Sequence, residues 1–186
     1  MEALIASSGL VALAEIGDKT QLLALALATR YQKPVPILAG IFLATLANHA
    51  LAGAAGTWLL AVTGPDVMRW ALALSFFAMA AWMLVPDRLD AVRADTARWG
   101  VFAATCAAFF IVEIGDKTQI ATVALAAKYS AFPAVVAGTT AGMLLANAPV
   151  VLMGERIVTR MPVQLVHRIA AALFIILGLF SLLYPA

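Results

Sequence analysis

Charge and cysteine are scarce in this chain. Only 12% of its 186 residues are charged, its single cysteine is Cys106, and its two histidines are His49 and His167. Soluble domains carry about 25% charged residues, so nothing is left over for a sizeable soluble domain. One cysteine excludes an internal disulfide and a thiolate metal set, and Cys106 is expected as a small apolar residue in a helix. No basic cluster with interleaved aromatics is present, which argues against a nucleic-acid partner. The start, Met1-Glu2-Ala3, lacks the basic region of a signal peptide, so the first apolar segment is expected to be retained.

What is there is apolar. Hydrophobic residues make up 64% of the chain and the mean hydropathy is +0.98. Six apolar segments follow one another, at about Ala3–Thr29, Pro34–Val62, Val67–Val85, Trp99–Ala127, Phe132–Met153 and Pro162–Tyr184. Each reaches the ~20 residues that an α-helix needs to cross the hydrocarbon core. None alternates apolar and polar residues as barrel strands do. The expected fold class is therefore all-α integral membrane, with six transmembrane helices.

The two halves repeat. Glu15-Ile16-Gly17-Asp18-Lys19-Thr20-Gln21 recurs as Glu113-Ile114-Gly115-Asp116-Lys117-Thr118-Gln119, at an offset of 98. After an extra residue in the turn Ser130-Ala131-Phe132 the offset is 99, which aligns Pro34 with Pro133, Asn48 with Asn147, Arg69 with Arg168 and Pro86 with Pro185. Each half holds three spans, an odd number, so the second must enter the membrane from the opposite side. This predicts two inverted three-helix repeats, 1–86 and 99–186, joined by a cytoplasmic linker at 87–98 into one membrane domain. In such folds the site lies at the midplane where the repeats meet.

Basic residues set the orientation. Arg30, Lys33, Arg88, Arg93, Arg98, Arg156, Arg160 and Arg168 fall at one set of segment ends, against Arg69 and Lys128 at the other. The positive-inside rule places the first group in the cytoplasm, so a multi-pass protein of the cell (inner) membrane with both termini non-cytoplasmic is expected. Trp58, Trp70, Trp82 and Trp99 lie towards segment ends, as an aromatic belt requires.

The repeated heptapeptide places Glu15, Asp18, Glu113 and Asp116 inside apolar segments. A carboxylate near the bilayer centre costs at least a few kcal/mol and is functional by default. On a continuous helix, Glu15 and Asp18 share a face and Lys19 can pair with Glu15; Glu113, Asp116 and Lys117 repeat the pattern. Gly17 and Gly115 weaken their helices, so a break or distortion is expected at each. Four carboxylates against Lys19 and Lys117 leave two net negative charges, which one divalent cation or two protons would neutralise. That is the arithmetic of a cation/proton exchanger. Oxygen ligands suit hard cations such as Mn²⁺, Ca²⁺ and Mg²⁺. Thr20, Gln21, Thr118 and Gln119 add neutral oxygens, and Asn48 and Asn147 are symmetric amides in mid-segment. His49 follows Asn48 but its repeat equivalent is Ala148, so the asparagines are the better candidates. His167, near a helix start, is expected at the membrane interface. The bland alternative is that Glu15–Lys19 and Glu113–Lys117 are intrahelical ion pairs that only hold helices together.

The twin Glu-x-Gly-Asp-Lys-Thr/Ser motif in a six-helix chain resembles the family of small cation transporters that includes the Golgi manganese/calcium transporter and the chloroplast manganese transporters. The resemblance spans the chain. It implies exchange of Mn²⁺ for protons, with Ca²⁺ as a second ion and no cofactor, and it carries the ion-site carboxylates onto Glu15, Asp18, Glu113 and Asp116. Thr20, Gln21, Thr118 and Gln119 carry over more weakly. The segment Pro86–Arg98 is short and mixed in charge, unlike the long acidic central loop of larger relatives. Two rivals remain: an exporter of amino acids or another small solute, and an intramembrane aspartyl protease built on Asp18 and Asp116. For the protease, Glu stands where that motif has its first Gly, and the lysines oppose a shared-proton dyad.

Overall fold

The computed structural model describes residues 1–85, 100–154, 156 and 162–183. The linker at 87–98, Arg160 and Pro185 lie outside them. The described residues form eight helices and no strand: α1 (Glu2–Glu15), α2 (Lys19–Tyr31), α3 (Pro34–Thr63), α4 (Pro65–Met83), α5 (Gly100–Glu113), α6 (Lys117–Tyr129), α7 (Phe132–Met153) and α8 (Val163–Leu183). Proline marks helix starts, in the first turns of α3, α4 and α7, where a missing N–H costs nothing and φ is already helical. Helices α2 and α6 end alike. Gln32 and Ser130 adopt left-handed φ of 51° and 47°, and their N–H groups donate to Ala28 O and Ala126 O.

Three helices, α3, α7 and α8, are long and apolar enough to cross a membrane, and α5 is a shorter apolar helix. The first and fourth expected spans are not continuous helices; each is a pair, α1–α2 and α5–α6, interrupted at the repeated motif.

Packing runs across the two halves of the chain. The principal interfaces are α1 with α7, α3 with α5, α3 with α6, α3 with α7, and α4 with α8. Glycines let these backbones approach. A methyl group on Gly40 of α3 would lie 2.9 Å from Phe102 O of α5, and one on Gly142 of α7 would lie 2.9 Å from Ala12 N of α1. Small residues at helix contacts are the usual means of close packing in lipid, where apolar side chains have no water to escape. The pair α4–α8 is apolar inside, with Phe76 and Phe174 at a centroid distance of 6.3 Å. It is apolar outside as well, where Trp70, Leu74, Ile176 and Phe180 are exposed. The buried interior, by contrast, holds Glu15, Asp18, Asn48, His49, Glu113, Asp116 and Lys117. Apolar outside with ionisable groups inside is the distribution expected when the solvent is lipid.

Candidate metal centre

Both copies of the motif fold the same way. Helix α1 stops at Glu15, Ile16 is extended, Gly17 has φ +80°, and Asp18 stands at the N-cap of α2 with φ −81° and ψ 169°. In the second copy Gly115 has φ +74° and Asp116 caps α6 with φ −76° and ψ 162°. Only glycine takes a positive φ without a steric cost, so Gly17 and Gly115 make the break expected of them. Gln21 and Gln119 hold it. Their Oε1 atoms accept from Gly17 N at 2.9 Å and Gly115 N at 2.7 Å. These amide oxygens, expected as ligands or as groups beside the ligands, each accept one backbone N–H here. Gln21 Nε2 also donates to Ala146 O at 3.0 Å.

An aspartate at an N-cap ordinarily accepts a hydrogen bond from the first turn. Neither Asp18 nor Asp116 makes that bond. Each turns to the lysine of the other motif: Lys117 Nζ lies 2.8 Å from Asp18 Oδ1, and Lys19 Nζ lies 3.1 Å from Asp116 Oδ1. This corrects the intrahelical pairing of Lys19 with Glu15 and of Lys117 with Glu113. Spacing of four residues brings side chains together only on an unbroken helix, and here the two residues of each pair sit on different helices. The ion pairs therefore tie the two motifs to each other.

Glu15, Asp18 and Asp116 form one cluster. Each offers an oxygen within 4.8 Å of the others, and all three are fully buried. Thr20 Oγ1 donates to Glu15 Oε2. Glu113 does not join this group and turns to α3, where His49 Nε2 lies 2.8 Å from its Oε1. Thr45 Oγ1 and Asn48 Nδ2 each lie 3.4 Å from its Oε2. Asn147, the counterpart of Asn48, donates to Met143 O at 3.0 Å, and its Oδ1 is buried without a hydrogen-bond partner. Thr118 Oγ1 is likewise buried without one. The site is thus less symmetric than its sequence.

The two ends of the site are covered differently. Val163 of α8 packs on Gly17, and His167 of α8 places Nε2 2.6 Å from Ile16 O, a carbonyl freed by the helix break. Among the described residues, no atom beyond its own chain neighbours lies within 4 Å of where a methyl group on Gly115 would be. The lysine under the covered end, Lys117, is 0% exposed, while Lys19 at the other is 24% exposed. Gly17 itself lines a cavity of about 700 Å³, with Met83 of α4, Leu84 just after it, and Val163, Gln164, His167 and Arg168 of α8. His167 thus reaches the break. Its repeat equivalent is Met68, so the repeat itself carried no signal of that role.

The profile of a family described as "Divalent cation/proton antiporter GDT1" matches residues 3–91 and 101–186. A protein of Vibrio cholerae named "Putative manganese exporter" is 53% identical over 180 residues, covering 96% of this chain and 90% of that one. A GDT1-like protein of Synechocystis is 29% identical over 197 residues, covering 92% of each. No solved structure gives a significant match.

Proposed function

The chain belongs to the divalent cation/proton antiporter GDT1 family, and we propose that it exports Mn²⁺ from the cytoplasm in exchange for protons, with Ca²⁺ as a second ion. The observation that carries this is the buried cluster of Glu15, Asp18 and Asp116, drawn from both motifs and cross-linked by Lys19 and Lys117. These carboxylates bind the ion, and Glu113 lies beside them as the fourth anionic group. With both lysines charged, the four carboxylates carry two net negative charges. One Mn²⁺ outward or two protons inward removes that charge before the site faces the low-dielectric interior.

In this reading α1–α2 and α5–α6 each cross the membrane as one broken span. The chain then makes six crossings in two inverted repeats, 1–86 and 99–186, with the termini outside. Broken helices that meet at a midplane ion site are a recurrent transporter design. The unequal cover over Gly17 and Gly115 supports a site that opens to one side at a time. Thr20 acts on Glu15, Asn48 on Glu113, and Gln21 and Gln119 keep the breaks in shape.

The test is Mn²⁺ flux in proteoliposomes. A pH difference at zero voltage should drive Mn²⁺ uphill, and a voltage at equal pH should drive little, because one Mn²⁺ against two protons moves no net charge. Flux under voltage alone, with none under the pH difference, would replace the exchanger with a uniporter.

A further inference from the structure

The three-carboxylate cluster is an oxygen-only site. Oxygen ligands accept Mn²⁺, Ca²⁺ and Mg²⁺ alike, so the cluster alone has little means of telling them apart. A nitrogen ligand stands nearby. Helix α3 carries Thr45, Asn48 and His49 on one face, all buried, against Glu113 at the end of α5. His49 Nε2 is 2.8 Å from Glu113 Oε1. Two donors at right angles on a cation with bonds of about 2.1 Å lie about 3 Å apart, so this pair has the separation of neighbouring ligands on one ion. Neither ring nitrogen of His49, nor Glu113 Oε1, has a hydrogen-bond partner of good geometry, although His49 and Glu113 are fully buried. A packing histidine in a dry interior would ordinarily satisfy both nitrogens. The second half has Ala148 at this position, so the symmetric machinery of the repeat does not require the imidazole.

We propose that His49 and Glu113 form a mixed nitrogen–oxygen subsite beside the carboxylate cluster, which binds Mn²⁺ in preference to Ca²⁺ and Mg²⁺. The proposal rests on the Mn²⁺-export reading and adds the residue that sets its selectivity. Imidazole suits first-row transition metals, whereas Ca²⁺ and Mg²⁺ gain little from exchanging oxygen for nitrogen. Thr45 and Asn48 line the same position and hold the Glu113 carboxylate towards the ring. Asn48 is itself fixed by a bond to Phe110 O at 3.1 Å.

The experiment is pulsed electron paramagnetic resonance of Mn²⁺ bound to the purified full-length protein, with any histidine tag removed. Because the chain has only two histidines, the source of a nitrogen signal can be assigned. The expected result is a ¹⁴N coupling from a directly bound imidazole, kept in His167→Gln and lost in His49→Gln. If His49→Gln does not fold, a coupling retained in His167→Gln still identifies His49. In competitive flux assays His49→Gln should lower the preference for Mn²⁺ over Ca²⁺ about tenfold while Ca²⁺ flux persists. Bound Mn²⁺ with no nitrogen coupling overturns the subsite and leaves the export reading standing. So does an equal loss of Mn²⁺ and Ca²⁺ flux in His49→Gln. Failure of the wild-type protein to bind Mn²⁺ at all overturns both.

Discussion

Gly17 and Gly115 occupy the same place in the two motifs, yet alanine should not cost the same at each. Both have positive φ, +80° and +74°, and holding an L-residue there costs about 1–2 kcal/mol. Part of that is offset, because alanine has less freedom to lose on folding, by about 0.4–1 kcal/mol. Gly115→Ala should therefore cost about 1 kcal/mol, since nothing lies in the way of the new methyl group. At Gly17 the methyl would overlap Val163 Cγ1 and lie 3.1 Å from Cγ2 and 3.3 Å from Cβ. Rotating a β-branched side chain cannot clear all three atoms, and overpacking of this kind adds about 1–3 kcal/mol. The difference between the variants is thus the cost of the α8 contact. Unfolding of each in mixed micelles measures it, and Val163→Ala in the Gly17→Ala background should recover most of the excess. Equal losses for the two glycine variants, or no recovery with Val163→Ala, would refute the asymmetric cover.

Other expectations follow from the site. Asp18→Asn, Asp116→Asn and Glu15→Gln should each lower Mn²⁺ flux by about tenfold or more with the protein still inserted; wild-type flux in both aspartate variants would sink the shared site. Lys117→Met should destabilise more than Lys19→Met, because the Lys117–Asp18 pair is wholly buried while Lys19 is 24% exposed. Removing one partner of a buried pair costs about 3–5 kcal/mol, and denaturation of both variants should rank them so. In a Cys106→Ala background, Glu2→Cys should react with an impermeant maleimide from outside intact cells; labelling only in inverted vesicles would reverse the topology. Lowering the pH on the metal side should weaken Mn²⁺ binding, because protons and Mn²⁺ compete for the same carboxylates; binding that is flat from pH 8 to 6 would contradict exchange at a common site.

The helical, lipid-facing character, the two motifs and the breaks at Gly17 and Gly115 were legible in the sequence, because composition, repetition and glycine chemistry are local properties. The partners of the charges were not. Lys19 was expected on Glu15 by helical spacing, and that rule lapses where the helix stops at Glu15. Repeat symmetry favoured Asn48 and Asn147 equally and ranked His49 below them, and the structure gives the three different surroundings. In the structure Asn48 faces Glu113, Asn147 bonds its own helix, and His49 Nε2 lies 2.8 Å from Glu113 Oε1. Contacts between halves depend on how the halves are seated, and no spacing along the chain records that.

The glycine seats have a consequence for how the protein is made. Gly40, Gly53 and Gly56 of α3 rest against α5, α7 and α6, while Gly138 and Gly142 of α7 rest against α1. The ribosome delivers residues in order, so α1 to α4 reach the bilayer before any of their cross-half partners exists. During that interval Asp18 lacks Lys117, and the grooves over Gly40 and Gly56 have only lipid to fill them. The first half is therefore an unfinished object whose charges and clefts are completed late in translation.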